Sequence, residues 1–191
     1  MSLDNAAFSL AGQLLVALPV VTDVAFRKGL VFVCAHSTAG AMGLVVNRPA
    51  PDSTLRRLLR ELQIDPVSIP MGTRIYAGGP AEPDRGFVLH SPEYHEGQNT
   101  LRICKMFSMT ATQTVLEALA IGGGPASSMV AMGYSGWGPG QLEGEIRENC
   151  WLTTDPDPDL LFGRNDAEKW DRAVTGMGIS PAGLSGFGGQ A

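Results

Sequence analysis

His36 follows an apolar run and stands beside Ser37 and a small-residue turn. Imidazole is the side chain best suited to proton transfer near neutral pH. Asp23 and Asn47 also fall at the ends of apolar runs, so the three can form a polar cluster. A carboxylate, an imidazole and an amide are the parts of a hydrolase-like acid–base site. The bland alternative is a histidine that caps a turn. The stretch GYSGWGPGQLEGEI (133–146) offers two other chemistries. Backbone N–H groups at a glycine-rich helix start favour a phosphate or carboxylate. Against this, no Lys-Ser/Thr pair follows as in a P-loop, the glycines miss the G-x-G-x-x-G register, and Glu143, Glu145 and Glu148 would repel an anion. Ser135 sits in Gly-Tyr-Ser-Gly, but a nucleophile elbow needs a small residue where Trp137 stands, and no histidine follows His95. The stretch is therefore expected to be mainly a corner of the fold. His90, Glu93, His95 and Glu96 match no zinc spacing, so no metal is expected. No cofactor motif appears. Trp137, Trp151, Trp170, Tyr134 and Phe162 are read first as core.

The elements that must hold these residues are outlined by the apolar pattern. Residues 13–18 (QLLVAL) and 29–35 (GLVFVCA) read as buried strands joined by PVVTDVAFRKG. HSTAGA, with Gly40, turns the second strand into a third, MGLVVN (42–47), as a hairpin. Pro49 and Pro51 stop it. Asp52 or Ser53 then caps a helix with Leu55, Leu58, Leu59 and Leu62 on one face. RIYAGGP, GFVLH and LRICKMF (101–107) read as strands. Thr110 and Gln113 have capping-box spacing for a helix over about 111–121, which ends at Gly-Gly-Gly-Pro (122–125). ASSMVAMGY is a strand that runs into the glycine turn. Pro139 opens the next helix, with Leu142 and Ile146 inward and Glu143 paired to Arg147. NCWLTT is a strand. A last helix, capped near Asn165, carries Trp170, Ala173, Val174 and Met177 on one face. Strands outnumber helices without strict alternation, which favours one α+β domain over 1–180 and a flexible Gly/Ser-rich tail over 181–191.

The chain has 191 residues and a formal charge of −5, so a nucleic-acid backbone would be repelled. Arg56, Arg57 and Arg60 share one expected helix and read as its solvated face. The 3 cysteines show no C-x-x-C spacing and fit a reducing cytoplasm. No apolar run is long enough to span a bilayer, and the first residues lack a basic leader region.

GQLLVALPVVTDVAF, AHSTAGAMGLVVNRP, YAGGPAEPDRGFVLH and GYSGWGPGQLEGEIRENCWL, in that order, resemble the YqgE/AlgH family of uncharacterised bacterial proteins. The resemblance runs from about Gly12 to Trp170. It implies an α+β domain with a bifurcated mixed sheet folded into a pseudo-barrel with flanking helices, in a cytosolic bacterial protein. The AlgH label carries a claim of transcriptional regulation. The resemblance supplies no catalytic residue, ligand or cofactor. Family members usually place an acid before the histidine of the second block, where this chain has Ala35. If the glycine corners converge at one end of the sheet, His36, Asn47, Tyr134 and Trp137 would rim a shallow polar pocket, with Asp23 nearby. The leading expectation is a non-enzymatic regulatory or binding protein, monomer or homodimer, that recognises a small molecule or a protein partner. An enzyme built on His36, Asp23 and Asn47 is the second reading. A direct DNA-binding regulator is disfavoured by charge and by the absence of a basic recognition helix.

Overall fold

The computed structural model describes residues 9–50, 54–69 and 73–185. The chain folds as a single α+β domain around a mixed sheet that curls into a half-barrel. Its strands are β1 (Leu14–Ala17), β2 (Leu30–Ser37), β3 (Gly40–Val45), β4 (Ile75–Ala77), β5 (Ala81–His90), β6 (Thr100–Arg102), β7 (Ser108–Thr110), β8 (Ser128–Trp137) and β9 (Trp151–Thr154). Along the main path the order is β6-β7-β5-β8-β3-β2-β1-β9, and β4 pairs with β8 in parallel.

The fork lies in β8. Its first half pairs with β4 through Val130, Ala131 and Met132. Its second half pairs with β3 through Ser135, Gly136 and Trp137. Gly133, at φ +71°, bends the strand between the two partners. The stretch read as a glycine turn is thus mostly strand, and the turn proper comes later, at residues 138–140. The expected bifurcation is present, and one strand supplies it.

Apolar side chains cover both faces of the sheet. Inside the curl, Leu14, Val16, Phe32, Leu44, Leu89 and Phe107 pack with Trp170 and Val174. On the outer face of β1–β3, Leu15, Val31, Val33 and Val45 meet Trp137, Leu142 and Trp151. Beyond the fork, Val88 and Val130 pack under Leu55, Leu59, Val115 and Leu119. Two-sided burial explains why the central strands read as unbroken apolar runs and not as alternations.

The helices are α1 (Leu55–Glu61), α2 (Gln113–Ala120), α3 (Gln141–Arg147), α4 (Pro158–Phe162), α5 (Lys169–Gly176) and α6 (Pro181–Ser185). Several boundaries differ from the sequence expectation. The α1 cap is Thr54, whose hydroxyl accepts from the Arg57 N–H; Asp52 and Ser53 lie outside the described residues. Thr110 belongs to β7, and Thr112 caps α2 instead. Residues 101–107 are not one strand: the chain reverses there, and Ile103 and Cys104 N–H groups both point to the Phe107 carbonyl. Pro139 stands one residue before the α3 cap, Gly140. Arg147 bonds the backbone carbonyl of Glu143, not its carboxylate. Asp157 caps α4, a short helix the pattern did not reveal, and α5 starts at Lys169, later than a cap near Asn165 implies. Of the expected tail, Pro181–Ser185 is helical with Leu184 packed on the inner core, and 186–191 lie outside the described residues.

Candidate functional site

The connection between β1 and β2 forms a cleft of about 420 Å³ lined by Ala17, Leu18, Pro19, Arg27, Lys28 and Trp170. Local chemistry sets its shape. Asp23 accepts the Ala25 N–H on its side chain at 2.8 Å. Its carbonyl receives the N–H groups of Phe26 and Arg27. This is the Asx-type closure that Asp favours. Lys28 then takes a left-handed backbone, φ 54°, unusual for a residue with a Cβ. Asn47, just past β3, holds it there: its amide nitrogen donates to the Lys28 carbonyl at 2.8 Å, and its oxygen accepts the Leu30 N–H at 2.9 Å. The Arg48 guanidinium donates to the Arg27 carbonyl beside it. Asp23 and Asn47, both singled out in the sequence, are therefore the two clamps of one loop.

The cleft is floored by α5. The Trp170 indole N–H donates to the Ala17 carbonyl at 2.9 Å, which fixes the ring. The Lys28 ammonium lies 5.0 Å above the ring centroid. Arg27 and Lys28 are exposed, and among the described residues neither is in an ion pair. The cleft thus carries an uncommitted cationic rim over an apolar wall in a chain of net charge −5. Arg27, Lys28 and Arg48 carry no motif in the sequence, whereas Trp170 is core as expected, 3% exposed, and its covered face also lines this cleft. The signal available was the Arg-Lys-Gly punctuation between two apolar runs.

His36, Asp23 and Asn47 do not form one cluster. In β2, Leu30 is bonded to Asn47 while His36 lies at the hairpin end. Six residues of strand separate them, roughly 20 Å at the usual rise. At the hairpin end the Leu10 N–H donates to His36 Nδ1 at 3.0 Å, so Nε2 carries the proton and donates to Glu143 at 3.0 Å. Both ring nitrogens are committed, and neither is left to take up a proton from a substrate. The Glu143 carboxyl is held below its usual range by its own backbone N–H and then by His36. Beside it, one Glu145 oxygen accepts both indole N–H groups, from Trp137 at 2.9 Å and Trp151 at 2.7 Å, and the other accepts Gln141. Trp137 thus fastens α3 to the sheet. Tyr134 belongs to the opposite face of β8; its hydroxyl donates to Glu82 at 3.0 Å, and that bond raises its pKa. Ser135 is fully buried, with its hydroxyl on the Gly78 carbonyl. The expected rim of His36, Asn47, Tyr134 and Trp137 is therefore dispersed over separate places.

His90 ends β5, on the strand expected over GFVLH, and is fully buried. Its Nδ1 faces the Ser91 carbonyl at 2.8 Å and must donate; Nε2 therefore accepts the Thr110 hydroxyl at 3.0 Å. Thr110 is bonded in turn to Thr100, which receives the Glu96 N–H. Glu96 ties down Tyr94 and Thr112. The chain of bonds clamps β5, β6 and β7 together. Among the described residues no group of side chains has the arrangement of a metal site. Burial lowers the His90 pKa from its ordinary 6.5. The unfolded chain then protonates this histidine at a pH where the folded one does not. Its contribution is fully present above about pH 6.5 and is lost as pH falls towards the folded value, at no more than about 1.4 kcal/mol per pH unit. Urea unfolding at pH 7.5 and 5.5 should show a larger loss for the parent than for His90→Gln. Equal losses would contradict a buried neutral imidazole.

Burial raises the Cys34 thiol pKa, and burial with Glu145 and Glu148 raises that of Cys150, so neither is primed as a thiolate. A second hollow of about 200 Å³ lies between α1 and α2, walled by Leu58, Phe87, Leu116 and Met132. It is smaller than the loop cleft and carries no cation. No helix among the described residues is long and apolar enough to cross a membrane.

Comparison with known proteins agrees with this architecture. The AlgH-like family model matches residues 14–182. A UPF0301 protein of Cereibacter sphaeroides is 47% identical over 182 residues, covering 95% of this chain and 99% of the relative. A UPF0301 protein of Ruegeria pomeroyi is 47% identical over 184 residues, with 95% and 99% covered. The solution structure of AlgH from Pseudomonas aeruginosa superposes with a TM-score of 0.75 at 36% identity, covering 100% of both chains. A crystal structure from Corynebacterium diphtheriae shares the fold, with a TM-score of 0.72 at 16% identity over 94% and 91% of the two chains. The four sequence blocks, the forked sheet and these matches agree, and the chain belongs to the AlgH-like family, a family of uncharacterised bacterial proteins.

Proposed function

We propose that the chain is a non-enzymatic binding protein for a small anionic molecule, seated between the β1–β2 connection and α5. The observation that carries this reading is the pair Arg27 and Lys28: exposed, free of ion pairs among the described residues, and clamped by Asn47 and Arg48 over a cleft of about 420 Å³. That volume lies within the roughly 300–1,000 Å³ of small-molecule sites. Arg offers a planar fork to a carboxylate or phosphate, and Lys adds a mobile point charge. The hydrolase reading has less support, because His36 has both nitrogens occupied and lies far from Asn47. Direct action on DNA is opposed by a net charge of −5. A role in regulation would then pass through the bound molecule, in a cytoplasmic protein acting as monomer or homodimer.

Calorimetric titration with a panel of carboxylates and phosphates tests the reading. Arg27→Ala should weaken binding about tenfold or more, the equivalent of about 1.4 kcal/mol. Unfolding without ligand should change by less than about 0.5 kcal/mol, because the side chain is on the surface. An Arg27→Ala protein that binds the panel as the parent does would place the site elsewhere.

A further inference from the structure

We infer that the anion bound here also carries a planar conjugated ring, and that this ring stacks on Trp170 in the place Lys28 now covers; this rests on the anion-binding reading above. Trp170 is held edge-on by the Ala17 carbonyl and packed from within by the inner core. The Lys28 ammonium sits 5.0 Å above its ring. Tryptophan has the strongest π face for such a contact; Trp170 is only 3% exposed, while the Lys28 side chain lying over it is exposed. Lys28 has no ion pair among the described residues that would resist its departure.

A ring sliding onto the indole needs the ammonium to rise by about one stacking thickness, roughly 3.5 Å. A four-carbon stem allows that movement without changing the backbone clamped by Asn47. The ammonium then lies over the incoming ring and near its acid group, while Arg27 receives the acid from the rim. Ala17, Leu18 and Pro19 give the ring edge an apolar wall. Aliphatic anions would satisfy the cations and leave the indole face unused.

The test compares probes of equal charge. Benzoate is set against acetate and cyclohexanecarboxylate, and adenosine monophosphate against ribose 5-phosphate and inorganic phosphate. The readouts are affinity and the indole Nε1–H signals in a proton–nitrogen NMR spectrum. Ring-bearing probes should bind at least about tenfold more tightly, the carboxylate and phosphate arms showing which acid is preferred. They should shift the Trp170 signal and leave those of Trp137 and Trp151 in place. Lys28→Met, a surface change, should weaken every charged probe and keep the preference for rings. Equal affinity for ring-bearing and ring-free anions that still depends on Arg27 would overturn the ring inference and leave the anion site standing. No charged probe binding at all would overturn both.

Discussion

Lys169→Ala should lower the unfolding free energy by about 3–5 kcal/mol, the loss typical of breaking a buried ion pair by removing one partner. Lys169 is fully buried, at the first turn of α5. Its ammonium donates to the Val46 carbonyl at 3.0 Å and to the Leu161 carbonyl at 2.8 Å. The third donor meets Asp166 at 2.9 Å. Asp166, itself buried, also accepts the Tyr76 hydroxyl at 3.0 Å and is paired with Arg74. Burial first, and then the charges of Arg74 and Arg172, lower the Lys169 pKa, and the Asp166 contact opposes that shift. Truncation removes this compensation and strands two carbonyls and part of a carboxylate away from water. It also frees the start of the helix that carries Trp170, so the loss should appear as a lower urea midpoint with a red-shifted tryptophan emission. Lys169→Met, which keeps the stem, should fall between parent and Ala. A change below about 1 kcal/mol in Lys169→Ala would mean that water replaces the ammonium and that the network does not hold α5.

That network was hidden in the sequence for a physical reason. Asp166 and Lys169 have ordinary i, i+3 spacing, which on a surface means little, and their other partners are Val46 just past β3, Arg74 and Tyr76 at β4, and Leu161 in α4. The same holds for His36 and Glu143, and for Glu145 with its two indoles: each partner is an unremarkable residue until the sheet closes. Local signals fared better. The apolar runs gave β1, β2 and β3, the Leu55–Leu59 periodicity gave α1, and Gly-Gly-Gly-Pro ended α2. The failures were at places where one residue type serves two purposes. Thr110 looks like a cap and is a strand residue bonded to His90. The glycines after Met132 look like a turn, but Gly133 and Gly136 belong to a strand, and Gly133 must pass close to another backbone. Of the candidate site, Asp23 and Asn47 were legible as turn-formers, because Asx closure and strand-end amides are local devices. The cations they position were not, since nothing in the sequence says that a later helix brings Trp170 beneath Lys28.

Gly79→Ala should be the most damaging single methyl group in the protein, costing about 4 kcal/mol or more and leaving little soluble fold. Gly79 has φ +154°, and a Cβ there would lie 2.2 Å from the Tyr134 carbonyl carbon and 2.4 Å from the Ser135 nitrogen. These are backbone atoms of β8, which no rotamer change can move aside. The crossing is tight from the other strand as well: a Cβ on Gly133 would lie 2.5 Å from the Gly79 oxygen. Gly78 adjoins the contact and bonds Met132 and Val45 at 2.8 Å, one partner on each side of the fork. Separating the chains far enough for a methyl group would therefore break the Ala81–Tyr134 pairing and the bonds that let β8 exchange β4 for β3. Gly97→Ala supplies the control. Gly97 also has a positive φ, +60°, but a Cβ there meets nothing within 4 Å. It should lose only the roughly 1–2 kcal/mol of a left-handed backbone. The difference between the two variants in urea unfolding isolates crowding from conformational strain, which most single substitutions mix. If Gly79→Ala were no worse than Gly97→Ala, the fork would be loose enough to breathe, and the bend at Gly133 would be a convenience of the chain and not the joint on which both halves of the sheet depend.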